Sequence, residues 1–126
     1  MPDVPTLNGT YLVLATTVDV TVEIKIGGPG QTSRTTGELS GSIKKVIFKD
    51  IPGSISETIV GPNNTLDNST LDIDSIVAAT SSASNYCEML VLLKGGKEDK
   101  TYTLYQTVAA QGDNAVFSCS IDFVQV

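Results

Sequence analysis

The chain has 126 residues, of which 40% are hydrophobic and 17% are charged, and this length suffices for one globular domain with its own core. It contains no histidine, which excludes a Ser-His-Asp relay and a papain-type Cys-His pair. Fourteen Asp plus Glu against eight Lys plus Arg give a formal net charge of −6, which disfavours nucleic acid and anionic membranes as partners.

Alternating apolar and polar residues predict β-strands along most of the chain. The clearest pattern in the first half covers residues 18–26, where Val and Ile at every second position alternate with polar side chains. Such alternation is typical of a half-buried strand, and the glycines and proline at 27–30 end it in a turn. Weaker patterns predict further strands at 11–16, 39–43, 45–48, 55–60 and 71–79.

The last third of the chain contains three stronger strand patterns. Residues 85–94 are densely apolar, which predicts a strand covered on both faces. Residues 101–109 follow, with Tyr102 predicted to face the core and Tyr105 the surface. After a turn at 111–114, residues 115–126 form the longest pattern, and its predicted core side contains Ala115, Phe117, Cys119, Ile121 and Phe123.

These patterns together predict an all-β fold. About eight strands separated by Gly, Pro, Asn and Asp are typical of an antiparallel β-sandwich, either immunoglobulin-like or jelly-roll-like. We expect one domain over residues 1–126. If the domain has two lobes, its most loop-like stretch, 61–70, is the seam between an N-terminal half (1–60) and an immunoglobulin-like C-terminal half (71–126).

Few residues are arranged as a catalytic or metal-binding site requires. Cys87 and Cys119 lie in predicted strands, which favours buried free thiols over a disulfide. The carboxylate pair Asp72 and Asp74 is interpreted as solvated residues at a strand edge, and the spacing of the acidic residues from Asp67 lacks the pattern of a calcium-binding loop. We therefore expect no catalytic, cofactor-binding or metal-binding residues, and no enzyme activity.

A hairpin near the C-terminus carries a family resemblance. Gly95-Gly96 follows an apolar strand, Thr101-Tyr102-Thr103-Leu104 begins the next strand, and Gly112 precedes a last alternating strand. Over residues 71–126 this order resembles small immunoglobulin-like virion proteins of tailed bacteriophages. The chain departs from that family at Asp99 and Asp113, where the family has a glycine and an arginine.

The resemblance implies a structural virion protein that acts through protein–protein contacts, as a tail or fibre adaptor or as a capsid cement protein. Its partners would be other virion proteins and further copies of itself, without nucleic acid, membrane or cofactor. Residues 1–5 lack the pattern of a signal peptide, so we expect synthesis in the host cytoplasm and residence in the virion. The alternative is a non-catalytic binding module of the carbohydrate-binding or adhesin type, against which stands the absence of tryptophan.

Overall fold

The computed structural model describes residues 3–27, 31–41, 44–79, 86–108 and 113–126. Within these ranges nine strands and one 3-10 turn, Asn63–Thr65, follow one another along the chain, and none of the described segments is a helix suited to spanning a membrane. The strands are β1 (Thr6–Val13), β2 (Asp19–Gly27), β3 (Gln31–Ser40), β4 (Lys45–Pro52), β5 (Ile55–Pro62), β6 (Thr70–Ala79), β7 (Tyr86–Lys94), β8 (Lys100–Thr107) and β9 (Asn114–Gln125).

The strands form two sheets that enclose one hydrophobic core, which confirms the predicted β-sandwich. The larger sheet has the order β1-β9-β6-β3-β4 and the smaller sheet the order β5-β2-β7-β8. Neighbouring strands are antiparallel, except that β1 runs parallel to β9. Side chains from both sheets meet in a continuous buried cluster, as expected when each sheet turns one apolar face inward.

The strands with the strongest alternation have the predicted faces. In β2, Val20, Val22 and Ile24 are buried between outward-facing polar residues. The five predicted core residues of β9 are all buried, while Val116 and Val124 lie on its exposed face. Here the hydrophobic pattern alone determines which face points inward, because a shift of one residue would expose the whole apolar set.

Two strands differ from their predictions. The strand predicted at 11–16 instead covers Thr6–Val13, because the polar start of β1 is held by backbone pairing with β9. The strand predicted at 39–43 is β3, which starts at residue 31. Its buried positions include Ser33, Thr35 and Gly37, so its inward face is not apolar and gives no hydrophobic alternation. Residues 42 and 43 lie outside the described residues.

Among the described residues, only one face of β7 is fully buried. Its burial alternates along the strand, and Leu90 and Leu92 are half-buried on the outer face of the four-stranded sheet. The prediction of a strand covered on both faces was therefore wrong. Neighbouring side chains on β2 and β8 cover these leucines partly, because β7 lies between those strands in the sheet.

The stretch 61–70 connects β5 of the smaller sheet with β6 of the larger sheet. It contains the end of β5, the 3-10 turn and the start of β6, and both Asn63 and Leu66 are buried. The Asn63 side chain accepts a hydrogen bond from the Leu14 amide at 2.9 Å and donates to the carbonyls of Val18 and Gly95 at 2.8 and 2.7 Å. Strands from before and after this stretch occur in both sheets.

On one lateral side of the sandwich, the edge strands β1 and β8 form hydrogen bonds with neighbouring segments. On β8, the amide and carbonyl of Tyr105 pair with those of Val4, ahead of β1. On β1, the Thr10 carbonyl accepts a bond from the Tyr102 hydroxyl, and the Leu12 carbonyl accepts one from the Lys97 amide. The opposite side is formed by the other two edge strands, β4 and β5.

Candidate functional site

The outer face of the five-stranded sheet contains a groove of about 660 Å³. Its apolar floor forms because Val116 on β9 lies directly beside Ile76 on β6, which in turn lies beside Arg34 on β3. Ile76 is 52% exposed and Val116 62% exposed, although both are large aliphatic residues on ordered strands. These two adjacent side chains give the groove a small apolar floor between polar lining residues.

A bulge in β4 forms one wall of this groove. The pairing of β4 with β3 shifts register around Gly37, and Asp50 adopts a left-handed backbone conformation with φ of 51°. The Asp50 amide donates to the Thr36 hydroxyl at 3.0 Å, which fixes the bulge against β3. The wall is therefore held in place by the backbone of β4 and does not depend on side chains alone.

An ion pair between Arg34 and Asp50 completes the wall. The guanidinium donates from Nε to Oδ1 at 2.8 Å and from Nη2 to Oδ2 at 3.1 Å, which is the two-bond geometry that arginine favours with carboxylates. This hydrogen-bonded pairing lowers the pKa of Asp50 and raises the pKa of Arg34. Both side chains are solvent-exposed, so the pair orders the wall more than it stabilises the fold.

A line of carboxylates continues from the groove along the same face. Asp74, Asp72 and Asp122 each accept a hydrogen bond from a hydroxyl on the adjacent strand: Ser118, Ser120 and Thr70 respectively. We call these three aspartates the carboxylate row. The interpretation of Asp72 and Asp74 as strand-edge residues was wrong, because β6 is the central strand of its sheet.

The other acidic candidates do not join this row. The Asp67 carboxylate accepts a hydrogen bond from the Gln125 amide at 2.9 Å, and Asn68 has a left-handed backbone with φ of 63°. Among the described residues, no group of three or more Cys, Asp or Glu side chains is placed to hold a metal ion. Asp67 and Asn68 instead order the turn that precedes β6.

Both cysteines are buried free thiols, as the sequence predicted. Burial raises the pKa of the Cys87 thiol. Burial, together with the nearby Asp72 carboxylate, raises the pKa of Cys119 to about 12. Neither thiol is thus activated as a nucleophile, which requires a lowered pKa.

Two tyrosines stack on the outer face of the four-stranded sheet. The rings of Tyr86 on β7 and Tyr105 on β8 have centroids 6.0 Å apart and an interplanar angle of 24°. Tyr105 lies opposite Glu88, on the surface side as predicted, whereas Tyr102 packs against the core. Sequence reasoning missed the pairing of Tyr105 with Tyr86, because it depends on the register between β7 and β8.

The groove was also missed from the sequence. The alternation of β9 correctly placed Val116 on the outer face, but its neighbours Ile76 and Arg34 come from strands 40 and more residues away in the chain. Outward-facing aliphatic residues within polar strand faces were the available signal. Without the strand order, nothing indicated that they meet.

No protein-family model, no curated protein and no solved structure matches this chain. The fold and the groove together define a β-sandwich with an apolar-floored groove on the outer face of its larger sheet.

Proposed function

We propose that the protein is a structural component of a tailed-bacteriophage virion and acts through protein–protein contacts, as a tail or fibre adaptor or as a capsid cement protein. The observation that carries the contact role is the groove floored by Ile76 and Val116 on the outer face of the five-stranded sheet. Its partners are other virion proteins and further copies of the chain.

The residues behind the family resemblance support the virion assignment. Gly95 and Gly96 lie in the turn between β7 and β8, and residues 101–104 lie in β8. The last strand, β9, contributes Val116 to the groove. The segment that resembles virion proteins therefore also contributes to the proposed contact face.

The virion assignment is tested by the protein composition of particles. Cells that carry the gene in its native genome are induced or infected, and particles are purified on a density gradient. Quantitative mass spectrometry is expected to find the chain in a fixed ratio to the capsid protein. Its absence from intact particles would contradict the assignment.

The contact role of the groove is tested by two matched substitutions. Ile76→Asp places a charge in the groove, whereas Ile59→Asp places the same charge on β5, where Ile59 is 57% exposed on the other sheet. We expect Ile76→Asp to lower incorporation into particles and Ile59→Asp to leave it unchanged. Equal incorporation of both folded variants, judged by their melting temperatures, would contradict a role for the groove.

A second candidate function is favoured by the tyrosine stack. Tyr86 and Tyr105 present neighbouring aromatic rings on the outer face of the four-stranded sheet, the kind of surface on which sugar rings stack. A glycan array tests this binding-module alternative. Binding that is lost in Tyr105→Ala and retained in Ile76→Asp would support it over the virion role.

A further inference from the structure

We propose that the groove and the carboxylate row together dock an extended, basic segment of a partner protein. An apolar side chain of that segment occupies the groove, and Lys or Arg at the second and fourth following positions faces the carboxylates. This inference deepens the proposed function, because it rests on the same contact face and specifies the chemistry of its partner.

The spacing along β6 matches an extended partner. Ile76, Asp74 and Asp72 occupy every second position of one strand, so all three side chains point outward. Residues two apart on a strand are separated by about 6.6 Å, and the side chains of an extended partner repeat at the same distance. A segment that places an apolar residue over Ile76 therefore brings later alternate side chains over Asp74 and Asp72.

The charge of the face selects a basic partner. Among the described residues, the ion pairs join Arg34 with Asp50 and Lys25 with Glu23, so no cation pairs with the carboxylate row. Each row member accepts a neutral hydroxyl hydrogen bond and keeps its charge uncompensated. An apolar surface laid over these carboxylates would desolvate them without a counter-charge, which is costly.

The same argument disfavours a second copy of the chain as the occupant of this face. Two copies meeting through the same surface would bring one carboxylate row against the other. The net charge of −6 adds to this repulsion. Copies of the chain would therefore contact one another elsewhere, and the groove remains for a partner of opposite charge.

Peptide titration tests the proposed chemistry. The probe is the capped peptide Thr-Val-Thr-Lys-Thr-Lys-Thr, and the control probe replaces both Lys with Glu. NMR spectra of the protein labelled at Ile and Val methyl groups are expected to show saturable shifts at Ile76 and Val116 with the Lys probe alone. Binding should weaken as salt rises, because exposed charges are screened.

A matched pair of double variants locates the interaction. Asp72→Asn with Asp74→Asn keeps a hydrogen-bond acceptor for each serine and removes two charges. We expect it to weaken Lys-probe binding about three- to tenfold, the range for two exposed ion pairs. Glu23→Gln with Glu57→Gln removes two charges from the other sheet and is expected to leave binding unchanged.

Three outcomes of the peptide titrations would overturn the inference. These are equal binding of the Lys and Glu probes, equal weakening by both double variants, and saturable shifts that leave the Ile76 and Val116 methyl groups unaffected. Failure of the proposed function can be distinguished from failure of this inference. If the chain is absent from particles, the virion assignment is contradicted, but the result of the peptide titration still stands. If the Asp72→Asn, Asp74→Asn variant is fully incorporated, the proposal of a basic partner is contradicted, but the contact role of the groove still stands.

Discussion

Asn63 shows how one buried amide joins three separate segments. Its side chain bonds to the backbone of Leu14, Val18 and Gly95, which belong to the β1–β2 connection and the β7–β8 turn. These backbone groups need partners, because an unpaired buried polar group costs free energy. An amide supplies both the acceptor and the two donors required.

Replacing Asn63 with Ala is expected to lower the free energy of unfolding by about 2 to 4 kcal/mol, since the Leu14 amide and the Gly95 carbonyl lose this partner, whereas the Val18 carbonyl keeps its bond from the Asn63 main-chain amide. Asn64→Ala is the control, because Asn64 is exposed and its main-chain amide bond to Thr16 remains. Urea denaturation of both variants measures the difference. Equal stabilities for the two variants would show that the Asn63 side chain is not a structural link.

Cys119 makes the fold sensitive to alkaline pH. Its folded pKa of about 12 lies above the ordinary 9.0, so only the unfolded state ionises as the pH passes 9. The stabilising contribution is fully present below pH 9.0 and is lost as the pH rises toward 12. We expect a loss of about 1.4 kcal/mol between roughly pH 8 and pH 10 from this thiol.

The measurement is urea denaturation at several pH values for the native chain and for Cys119→Ala. The variant is less stable at every pH because it leaves a cavity, but its stability should fall less steeply above pH 9.0. Parallel pH curves for the two proteins would contradict the assignment of this dependence to Cys119.

At the scale of elements, the turn between β7 and β8 is shaped by its two glycines. Gly95 has φ of 95°, and a side chain there would meet the Asp19 carbonyl. A side chain at Gly96 would meet the ring of Tyr11, whose hydroxyl accepts a hydrogen bond from the Gly96 amide at 2.9 Å. The hairpin therefore fits closely against both β1 and the start of β2.

Gly95→Ala is expected to destabilise the protein by about 2 to 4 kcal/mol, because backbone strain and a steric clash act together. Gly53→Ala is the matched control: its φ of 74° is also left-handed, but no atom lies within 4 Å of the added methyl group. The control should lose only about 1 kcal/mol from strain. Thermal unfolding of both variants compares them, and equal losses would contradict the steric argument.

The burial patterns of the strands explain which of them could be predicted from the sequence. β2 and β9 were predicted with the correct faces, because Val20, Val22 and the core residues of β9 carry the pattern of burial themselves. β3 was largely missed, since Thr35 and Ser75 meet as a buried hydroxyl pair at 2.8 Å where apolar contacts were expected. Local hydrophobicity cannot reveal a strand whose inner face is largely polar. In β3 the Thr35 hydroxyl is paired with Ser75, while the buried Ser33 hydroxyl has no hydrogen-bond partner among the described residues.

For the whole molecule, the order of the strands in the sheet determines where the groove forms, which could not be predicted from the sequence. The groove exists because β9, β6 and β3 lie side by side and the bulge of β4 rises beside them. The chain order of these strands gives no indication of this arrangement. The all-β class of fold could therefore be predicted from the sequence, whereas the groove required the order and register of the strands.

The two lateral sides of the sandwich also differ in their capacity to add strands. β1 and β8 have backbone groups occupied by bonds from Tyr102, Lys97 and Val4. β4 and β5 are edge strands whose pairings contain register shifts, and β4 ends in Pro52. Bulges and proline hinder regular edge-to-edge pairing, so contacts through the sheet face are favoured over sheet extension.

The parallel pairing of β1 with β9 determines how the molecule responds to mechanical force. Thr6 lies beside Ser118 and Val13 beside Gln125, so residues 6 and 125 are at opposite ends of the strand pair. Pulling on these residues loads the hydrogen bonds of the pair together in shear. In the β7–β8 hairpin, by contrast, pulling apart Tyr86 and Thr107 opens the bonds one after another.

Single-molecule force spectroscopy is expected to show a higher unfolding force for attachment at residues 6 and 125 than for attachment at 86 and 107. Equal forces would mean that the parallel pair does not resist extension. With the pair intact, tension applied along the chain passes from the first strand directly to the last, and the core between the sheets stays closed.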